Sequence, residues 1–187
     1  VSVDLTDERV QAAIHAIVPT VDVVVINYRP DVPGRLKIDY ETLKTIKPDL
    51  VYVDSTAFGR NGPWADKPGY DIVAQGVSGL TASGARFDDH GTPLLPSIGV
   101  PTADITTGYA IAMATLAALF HHQKTGEGQL VETSLLANAL QAQATGFMSL
   151  PLADTRMRTP FLKEWDQGKK DGKSYTEMAN LRRTMQQ

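Results

Sequence analysis

The chain has 187 residues, of which 42% are hydrophobic and 21% charged, and its formal net charge is -3, an ordinary composition for about one globular domain. Its charge lacks the excess of lysine and arginine that marks proteins binding nucleic acid or anionic membranes, so we expect neither partner. The absence of cysteine excludes disulfides and thiolate metal sites, and the four histidines show no spacing typical of metal ligands. We therefore expect no bound metal. A chain without cysteine fits a reducing compartment, and we expect a cytoplasmic location.

The first part of the chain alternates helix and strand signals. A capping signal at Thr6, followed by acids, opens a helix, and the β-branched run 21–26 has the pattern of a parallel strand buried on both faces. Asp39 caps a short helix, and 50–57 is a second strand. This alternation predicts an α/β fold with an open, doubly wound, mostly parallel sheet.

Glycine and proline repeatedly interrupt residues 58–101, where only 70–80 has a helical pattern; long irregular stretches in compact domains are usually functional or disordered. A long apolar helix then runs to about Lys124. Threonine and glycine interrupt its apolar run, and a membrane span needs about 20 apolar residues. We therefore predict a core helix, almost entirely buried, rather than a membrane span.

The end of the chain changes character. A strand at 129–134 and a helix from 135 to about 149 follow the long helix, and beyond Pro151 the sequence turns polar. The segment 151–187 has too few core residues to fold alone. We predict an arm or linker that needs a partner surface.

A cluster of polar residues follows the first strand. The sequence there lacks the glycine pattern of a dinucleotide-binding turn, and no phosphate-binding glycine loop occurs, so we expect no NAD. Asn27, Tyr28, Arg29 and Arg35 instead stand at the strand end, where open α/β sheets bind ligands. Two guanidiniums and an aromatic ring would suit a phosphorylated adenine ligand. The alternative is that both arginines are solvated loop residues.

Asp104 stands at the head of the long apolar helix, and two interpretations are open. As an N-cap its side chain would bond the first backbone N–H groups, contributing about 1 kcal/mol and needing no function. As a catalytic carboxylate it would be favoured in its ionised form by the helix N-terminus. The two interpretations are compatible.

Three blocks, in order, resemble the family III CoA-transferases, the group that includes formyl-CoA transferase, carnitine CoA-transferase and α-methylacyl-CoA racemase. They read "VDVVVINYRPDVPGRLKIDYETLKTIKPDLVYV", "FGRNGPWADKPGYDIVAQGVSGL" and "GVPTADITTGYAIAMATLAALFHHQKTGEGQLVETSLL". The resemblance covers about residues 1–150 and implies part of a truncated, Rossmann-like CoA-binding domain. It also implies that 151–187 leads toward an absent small domain.

The resemblance implies roles for the candidate residues. Asp104 falls on the catalytic nucleophile of the family, while Asn27, Tyr28 and Arg35 fall on residues that line the CoA cleft, with Arg29 beside them. CoA would be a substrate and product, exchanged between an acyl-CoA and a carboxylic acid through an aspartyl anhydride and an aspartyl-CoA thioester. An interlocked homodimer is implied, and a chain of this extent alone would be inactive.

Departures from the family pattern separate the alternatives. Ile26 and Asp31 replace a glutamate and a glycine at the strand end, which weakens the argument for the family's local turn but leaves the ligand residues in place. Tyr70 stands where racemases of the family carry a histidine acid/base. Tyrosine has an ordinary pKa of about 10, which suits proton exchange near neutrality poorly. CoA transfer is therefore favoured over racemisation. Tyr70 is either a packing aromatic or a residue beside the substrate. The alternative functions are a 2-methylacyl-CoA racemase or a truncated, non-catalytic module for CoA binding or dimerisation.

Overall fold

The computed structural model describes residues 2–83, 86–88, 90, 93–94, 100–144 and 149–184. The helices are α1 (Glu8–Ile17), α2 (Val32–Arg35), α3 (Tyr40–Ile46), α4 (Asp71–Ser78), α5 (Leu80–Ser83), α6 (Thr102–Thr125), α7 (Leu135–Gln141), α8 (Pro151–Ala153), α9 (Thr159–Lys170) and α10 (Tyr175–Thr184). The strands are β1 (Val23–Ile26), β2 (Val51–Thr56), β3 (Arg86–Phe87), β4 (Pro93–Leu94) and β5 (Gln129–Ser134). A 3-10 turn (Val18–Thr20) follows α1, and a π-helical turn (Asp154–Arg158) follows α8.

The chain forms two compact units, the first from Val1–Ser78 and Pro101–Ala142, the second from Gly79–Val100 and Gln143–Gln187. In the first unit β1, β2 and β5 form a parallel sheet in the order β1-β2-β5, which confirms the α/β prediction. Every residue of the central strand β2 is buried. The prediction that β1 is buried on both faces is wrong: β1 pairs with β2 alone in the described chain, and Val25 is 51% exposed.

Helices cover both faces of the sheet. Successive residues of a strand point to opposite faces; Tyr52 packs with Leu43 of α3 on one face, whereas Val51 and Val53 pack with Ala118 of α6 on the other. The helix α1 contributes to the first of these cores through Ile14. This two-sided arrangement is the doubly wound architecture that the alternating sequence predicts.

Two caps show how closely the local signals fix the helix starts. Asp39 accepts the Thr42 N–H at 3.0 Å and begins α3, as predicted. The cap of α1 is Asp7, which accepts the Arg9 N–H at 2.8 Å, so this helix begins one residue later than a cap at Thr6 would place it. The carboxylate outcompetes the neighbouring hydroxyl, which instead bonds Asp4 at 2.7 Å.

Two glycines make the turn from α6 to β5 possible. Gly126 has φ +76° and ends α6, donating its N–H to the His122 carbonyl at 2.7 Å, in the left-handed conformation that glycine adopts without strain. A Cβ atom at Gly128 would lie 2.3 Å from the carbonyl carbon of Asp49. The chain can therefore enter β5 only with glycine at this close approach.

The helix α6 is far less buried than its sequence predicts. Among its 24 residues only Ala103, Thr107 and Ala118 are buried, whereas Tyr109 is 70% and Met113 72% exposed. The prediction of an almost entirely buried helix is wrong: α6 packs against β2, β5, α4 and α7, and most of its remaining apolar side chains are exposed or only partly buried. By length and composition α6 would also pass for a membrane span, with a mean hydropathy of 1.4 over 18 residues, of which 17% are buried.

The polar end of the chain is helical rather than extended. A Cβ atom at Gly168 of α9 would lie 2.6 Å from the Met178 sulfur of α10, and Met178 is buried, so the absence of a side chain at Gly168 lets these two helices pack. The role of 151–187 as an arm or linker stays a prediction. The predicted helix from 135 to 149 is observed as α7 over Leu135–Gln141, and residues 145–148 lie outside the described ones.

Candidate active site

The candidate residues gather at one edge of the parallel sheet. The end of α6 lies at the amino edge, where His122 Nε2 is 3.1 Å from Oδ2 of Asp49, just before β2. A helix of 24 residues rises about 36 Å, whereas a six-residue strand spans about 20 Å. The start of α6, with Asp104, therefore lies toward the carboxyl edge, where β1 also delivers Asn27 and where open α/β sheets bind ligands.

Asp104 is the third residue of α6, and its side chain is exposed. The N-cap position belongs to Pro101, which makes no side-chain cap bond. The interpretation of Asp104 as the N-cap is therefore wrong: the proline sets the helix start, and Asp104 follows inside the first turn. Its carboxylate is left accessible to a substrate.

A carboxylate from another helix caps this helix start. The Asp104 N–H donates to Oδ1 of Asp71 at 2.9 Å, and Oδ2 of Asp71 accepts a bond from the Gln75 side-chain amide one turn further along α4. The amide of Asp104 is one of the first-turn N–H groups that have no partner within a helix. Asp71 therefore supplies the cap that the sequence of α6 itself lacks.

Small side chains let α4, α6 and α7 approach one another at this point. Ala74, Ala103 and Ala139, one from each helix, are fully buried against each other, with Leu135 packed beside them. Because Ala103 adjoins Asp104, this contact fixes the backbone that carries the carboxylate.

The electrostatic surroundings raise the pKa of Asp104 above the ordinary value for aspartate. The larger cause is desolvation of the carboxylate by the surrounding protein, and the second is the negative charge of Asp71. Both effects act against the preference for the ionised form that the helix start is expected to give.

The strand-end cluster is exposed, as a ligand-binding surface must be. Asn27, Tyr28 and Arg29 follow β1 directly, and Arg35 is the last residue of α2. The structure records no hydrogen bond or ion pair between these four side chains and the Asp104 carboxylate, within the residues it describes. The two groups lie toward the same edge of the sheet.

Asp31 ties the two arginines of the cluster together. Its Oδ1 lies 3.4 Å from Arg29 Nε, and its Oδ2 accepts a bond from Arg35 Nη2 at 3.2 Å. The departure at position 31 therefore places a carboxylate against both guanidiniums of the cluster, while the expected ligand residues themselves are all present.

Sequence reasoning missed a charged cleft beside this cluster. Asp54 of β2 is only 1% exposed; its Oδ2 accepts a bond from Arg60 Nε, and Arg60 also donates to the Pro30 carbonyl at 3.3 Å. No described residue bonds Oδ1 of Asp54. Asp54, Arg60, Glu132 and Ser134 are among the residues that line a cleft of about 270 Å³ at the ends of β2 and β5. The signal available in the sequence is an acid, Asp54, that directly follows the apolar residues 50–53 of the predicted strand.

Tyr70 precedes α4 and lies directly beside Asp71. Its carbonyl accepts the N–H groups of Val73 and Ala74, both at 3.0 Å, and its side chain is 74% exposed. The ring therefore does not pack in a core of the described chain. A role beside the substrate stays a prediction.

Over the described ranges no group of three or more histidine, aspartate or glutamate residues is placed to hold a metal ion.

The sequence profile of CoA-transferase family III matches residues 1–172. The chain belongs to this family. The resemblance carried by the three sequence blocks is thereby confirmed, and CoA is a substrate of CoA-transferases.

Curated family III relatives include the succinate–glutarate CoA-transferase of Agrobacterium fabrum, 39% identical over 133 residues, which are 71% of this chain and 32% of that protein. The human succinyl-CoA:glutarate CoA-transferase is 32% identical over 138 residues, 74% of this chain and 31% of that protein. The chain spans about a third of the length of these relatives.

Solved structures give the same assignment. Rv3272 from Mycobacterium tuberculosis has a TM-score of 0.72 and 32% identity, covering 79% of this chain and 40% of that one. A CAIB/BAIF family protein from Brucella suis has a TM-score of 0.70 and 32% identity, covering 78% and 37%. The predicted fold class is confirmed as that of family III CoA-transferases.

Proposed function

We propose that the protein carrying this chain moves CoA from an acyl-CoA to a free carboxylic acid, with Asp104 as the nucleophile. The observation that carries the proposal is the exposed Asp104 carboxylate in the first turn of α6, toward the carboxyl edge of the sheet. The backbone next to it is held by the packing of Ala103 against alanines of α4 and α7. The cluster of Asn27, Tyr28, Arg29 and Arg35 at the same edge supplies donors and a ring for CoA.

The first half-reaction loads CoA onto the enzyme. The Asp104 carboxylate attacks the thioester carbonyl, the C–S bond breaks, and an acyl-aspartyl anhydride forms with release of the CoA thiolate. The thiolate then attacks the aspartyl carbonyl of the anhydride, which expels the donor as its carboxylate and leaves an aspartyl-CoA thioester. Covalent catalysis of this kind divides a difficult transfer into easier steps.

The second half-reaction reverses the first with a new acid. The acceptor carboxylate attacks the aspartyl-CoA thioester, giving a second anhydride and the CoA thiolate. Attack of the thiolate on the acceptor carbonyl forms the new acyl-CoA and restores the Asp104 carboxylate. Atoms and charge balance without a metal, NAD or ATP.

The remaining sequence expectations belong to the same proposal. They are an interlocked homodimer, a cytoplasmic location, no metal or NAD, and an inactive isolated chain, the last supported by its spanning about a third of its relatives. The racemase alternative is disfavoured because Tyr70 replaces the histidine, and it would be revealed by α-proton exchange without an acceptor acid.

The test is transfer by the complete protein and by its Asp104→Asn variant, with succinyl-CoA and glutarate as the first pair because relatives are named for them. The amide cannot form the anhydride, so we expect turnover to vanish. The thermal midpoint should shift little, because Asp104 is exposed and its backbone amide still reaches Asp71. Substantial turnover by the variant would exclude Asp104 as the nucleophile.

A further inference from the structure

Asp71 lies 33 residues before Asp104 in the sequence and contacts it directly in the fold. The Asp104 N–H donates to Oδ1 of Asp71 at 2.9 Å, and Pro101 leaves this helix start without a side-chain cap of its own. A first-turn amide that loses its acceptor is left without a partner within the helix. The position of the Asp104 backbone thus depends on a group outside α6.

The carboxylate of Asp71 is itself held on both sides. Its second oxygen accepts a bond from Gln75, whose side chain is buried one turn later on α4. On the chain before it, a Cβ atom at Gly69 would lie 2.5 Å from the Ala57 Cβ and 2.9 Å from the Phe58 ring. This close approach pins the start of α4 to the end of β2.

We propose that Asp71 is a positioning residue for the nucleophile: it caps α6 from α4 and so fixes where the Asp104 carboxylate stands relative to the sheet. The inference rests on the proposed role of Asp104. Asp71 forms no bond to substrate in this scheme and acts only through the Asp104 backbone and through its charge. Effective attack requires that the reacting atoms be held in place, and a displacement of about 1 Å can cost about 100-fold in rate.

The charge of Asp71 gives this role a signature that simple capping would not have. Desolvation is the larger cause of the raised pKa of Asp104, and the negative charge of Asp71 is the second. The neighbouring helices add no competing charge: α7 carries no titratable residue and α4 carries Asp71 alone, and Tyr70 is the titratable residue beside it. Removing the charge should therefore move the ionisation of Asp104 to lower pH.

Two substitutions in the complete protein separate hydrogen bonding from charge. Asp71→Ala removes both, and we expect kcat to fall at least about tenfold with KM for succinyl-CoA nearly unchanged, because positioning acts on the reacting step. Asp71→Asn keeps an acceptor oxygen for the Asp104 N–H and should restore most of kcat. It should also shift the acid limb of the kcat/KM profile to lower pH. Asp66→Asn, in an exposed position of the preceding loop, is the matched control.

The outcomes distinguish this inference from the proposed function. Loss of turnover in Asp104→Asn with full kcat in Asp71→Ala would overturn the positioning role alone, whereas an active Asp104→Asn would overturn the nucleophile itself. An Asp71→Asn variant as impaired as Asp71→Ala, or one with an unshifted acid limb, would also contradict the inference. If Asp71→Ala does not fold, the pH profile and kcat of Asp71→Asn still decide.

Discussion

Asp31 places a carboxylate between two arginines that are proposed to meet CoA. A phosphate must compete with this carboxylate, because both bind guanidinium groups through the same donors. The three side chains are exposed, so the competition is weak and sensitive to salt. At the scale of single residues, a ligand at the proposed CoA-binding surface would therefore have to displace Asp31 from its ion pairs with Arg29 and Arg35.

Two substitutions test this competition. Arg35→Ala should weaken CoA binding, and Asp31→Asn should tighten it, each by about two- to fivefold at low salt, as expected for exposed charge pairs. Both differences should shrink as salt is added. Calorimetric titration of CoA over a salt series measures them, with Asp66→Asn as the control. Equal affinity of Arg35→Ala and parent at every salt concentration would leave Arg35 as an ordinary surface residue.

The sequence predicts the residues of the candidate site unevenly, and the reason is their separation along the chain. Asp104 and Arg35 stand in blocks whose pattern points to them. The contacts of Asp71 with Asp104 and of Asp54 with Arg60 exist only once the chain has folded. No local pattern encodes such contacts.

At the scale of elements, the helix starts show which local signals are decisive. The position of Asp39 before a helical pattern predicts a cap, and Asp39 bonds the Thr42 N–H as a cap should. The position of Asp104 allows the same interpretation, yet Pro101 starts α6 earlier and leaves Asp104 in the first turn. An acid near a helix start is therefore an ambiguous signal when a proline precedes it.

The Asp39 cap predicts a pH-dependent stability. Desolvation raises the pKa of Asp39. Hydrogen bonds from the Thr42 side chain and backbone lower this pKa, and the net pKa lies below the ordinary value. Its stabilisation is therefore complete above about pH 4, the unfolded value, and is lost as the pH falls through the folded pKa. Asp39→Asn should match the parent near pH 7 because asparagine caps equally well.

The measurement is the free energy of unfolding of parent, Asp39→Asn and Asp39→Ala from pH 7 to pH 3. The alanine variant should lose about 1 kcal/mol at pH 7. The parent should lose its advantage over alanine below pH 4, while asparagine keeps its own. A parent–alanine difference that does not change with pH would show that the ionised carboxylate is not the stabilising form.

At the scale of the whole molecule, the sequence predicts the doubly wound sheet but not which apolar surfaces are covered. Periodicity assigns 102–125 to a helix, and a helix apolar on all sides is usually buried. In this chain Tyr109 and Met113 instead border an apolar groove of about 550 Å³ between α6 and α7. Coverage depends on what lies against the helix, which its own sequence does not specify.

The isolated chain is therefore expected to lack turnover. It spans about a third of its relatives and leaves much of the apolar surface of α6 exposed. Succinyl-CoA and glutarate, incubated with the purified 187-residue chain, should give no glutaryl-CoA above the background without protein, while the complete protein gives product. Transfer by the isolated, monomeric chain would contradict this expectation.

The most direct test of the central claim is to trap the covalent intermediate on Asp104. The complete protein is incubated with succinyl-CoA and then with borohydride or hydroxylamine, and its peptides are sequenced by mass spectrometry. We predict a mass change on the peptide containing Asp104, localised by fragmentation to that residue and absent from Asp104→Asn. A modification on another residue, or an unmodified Asp104 in a protein that turns over, would contradict the account.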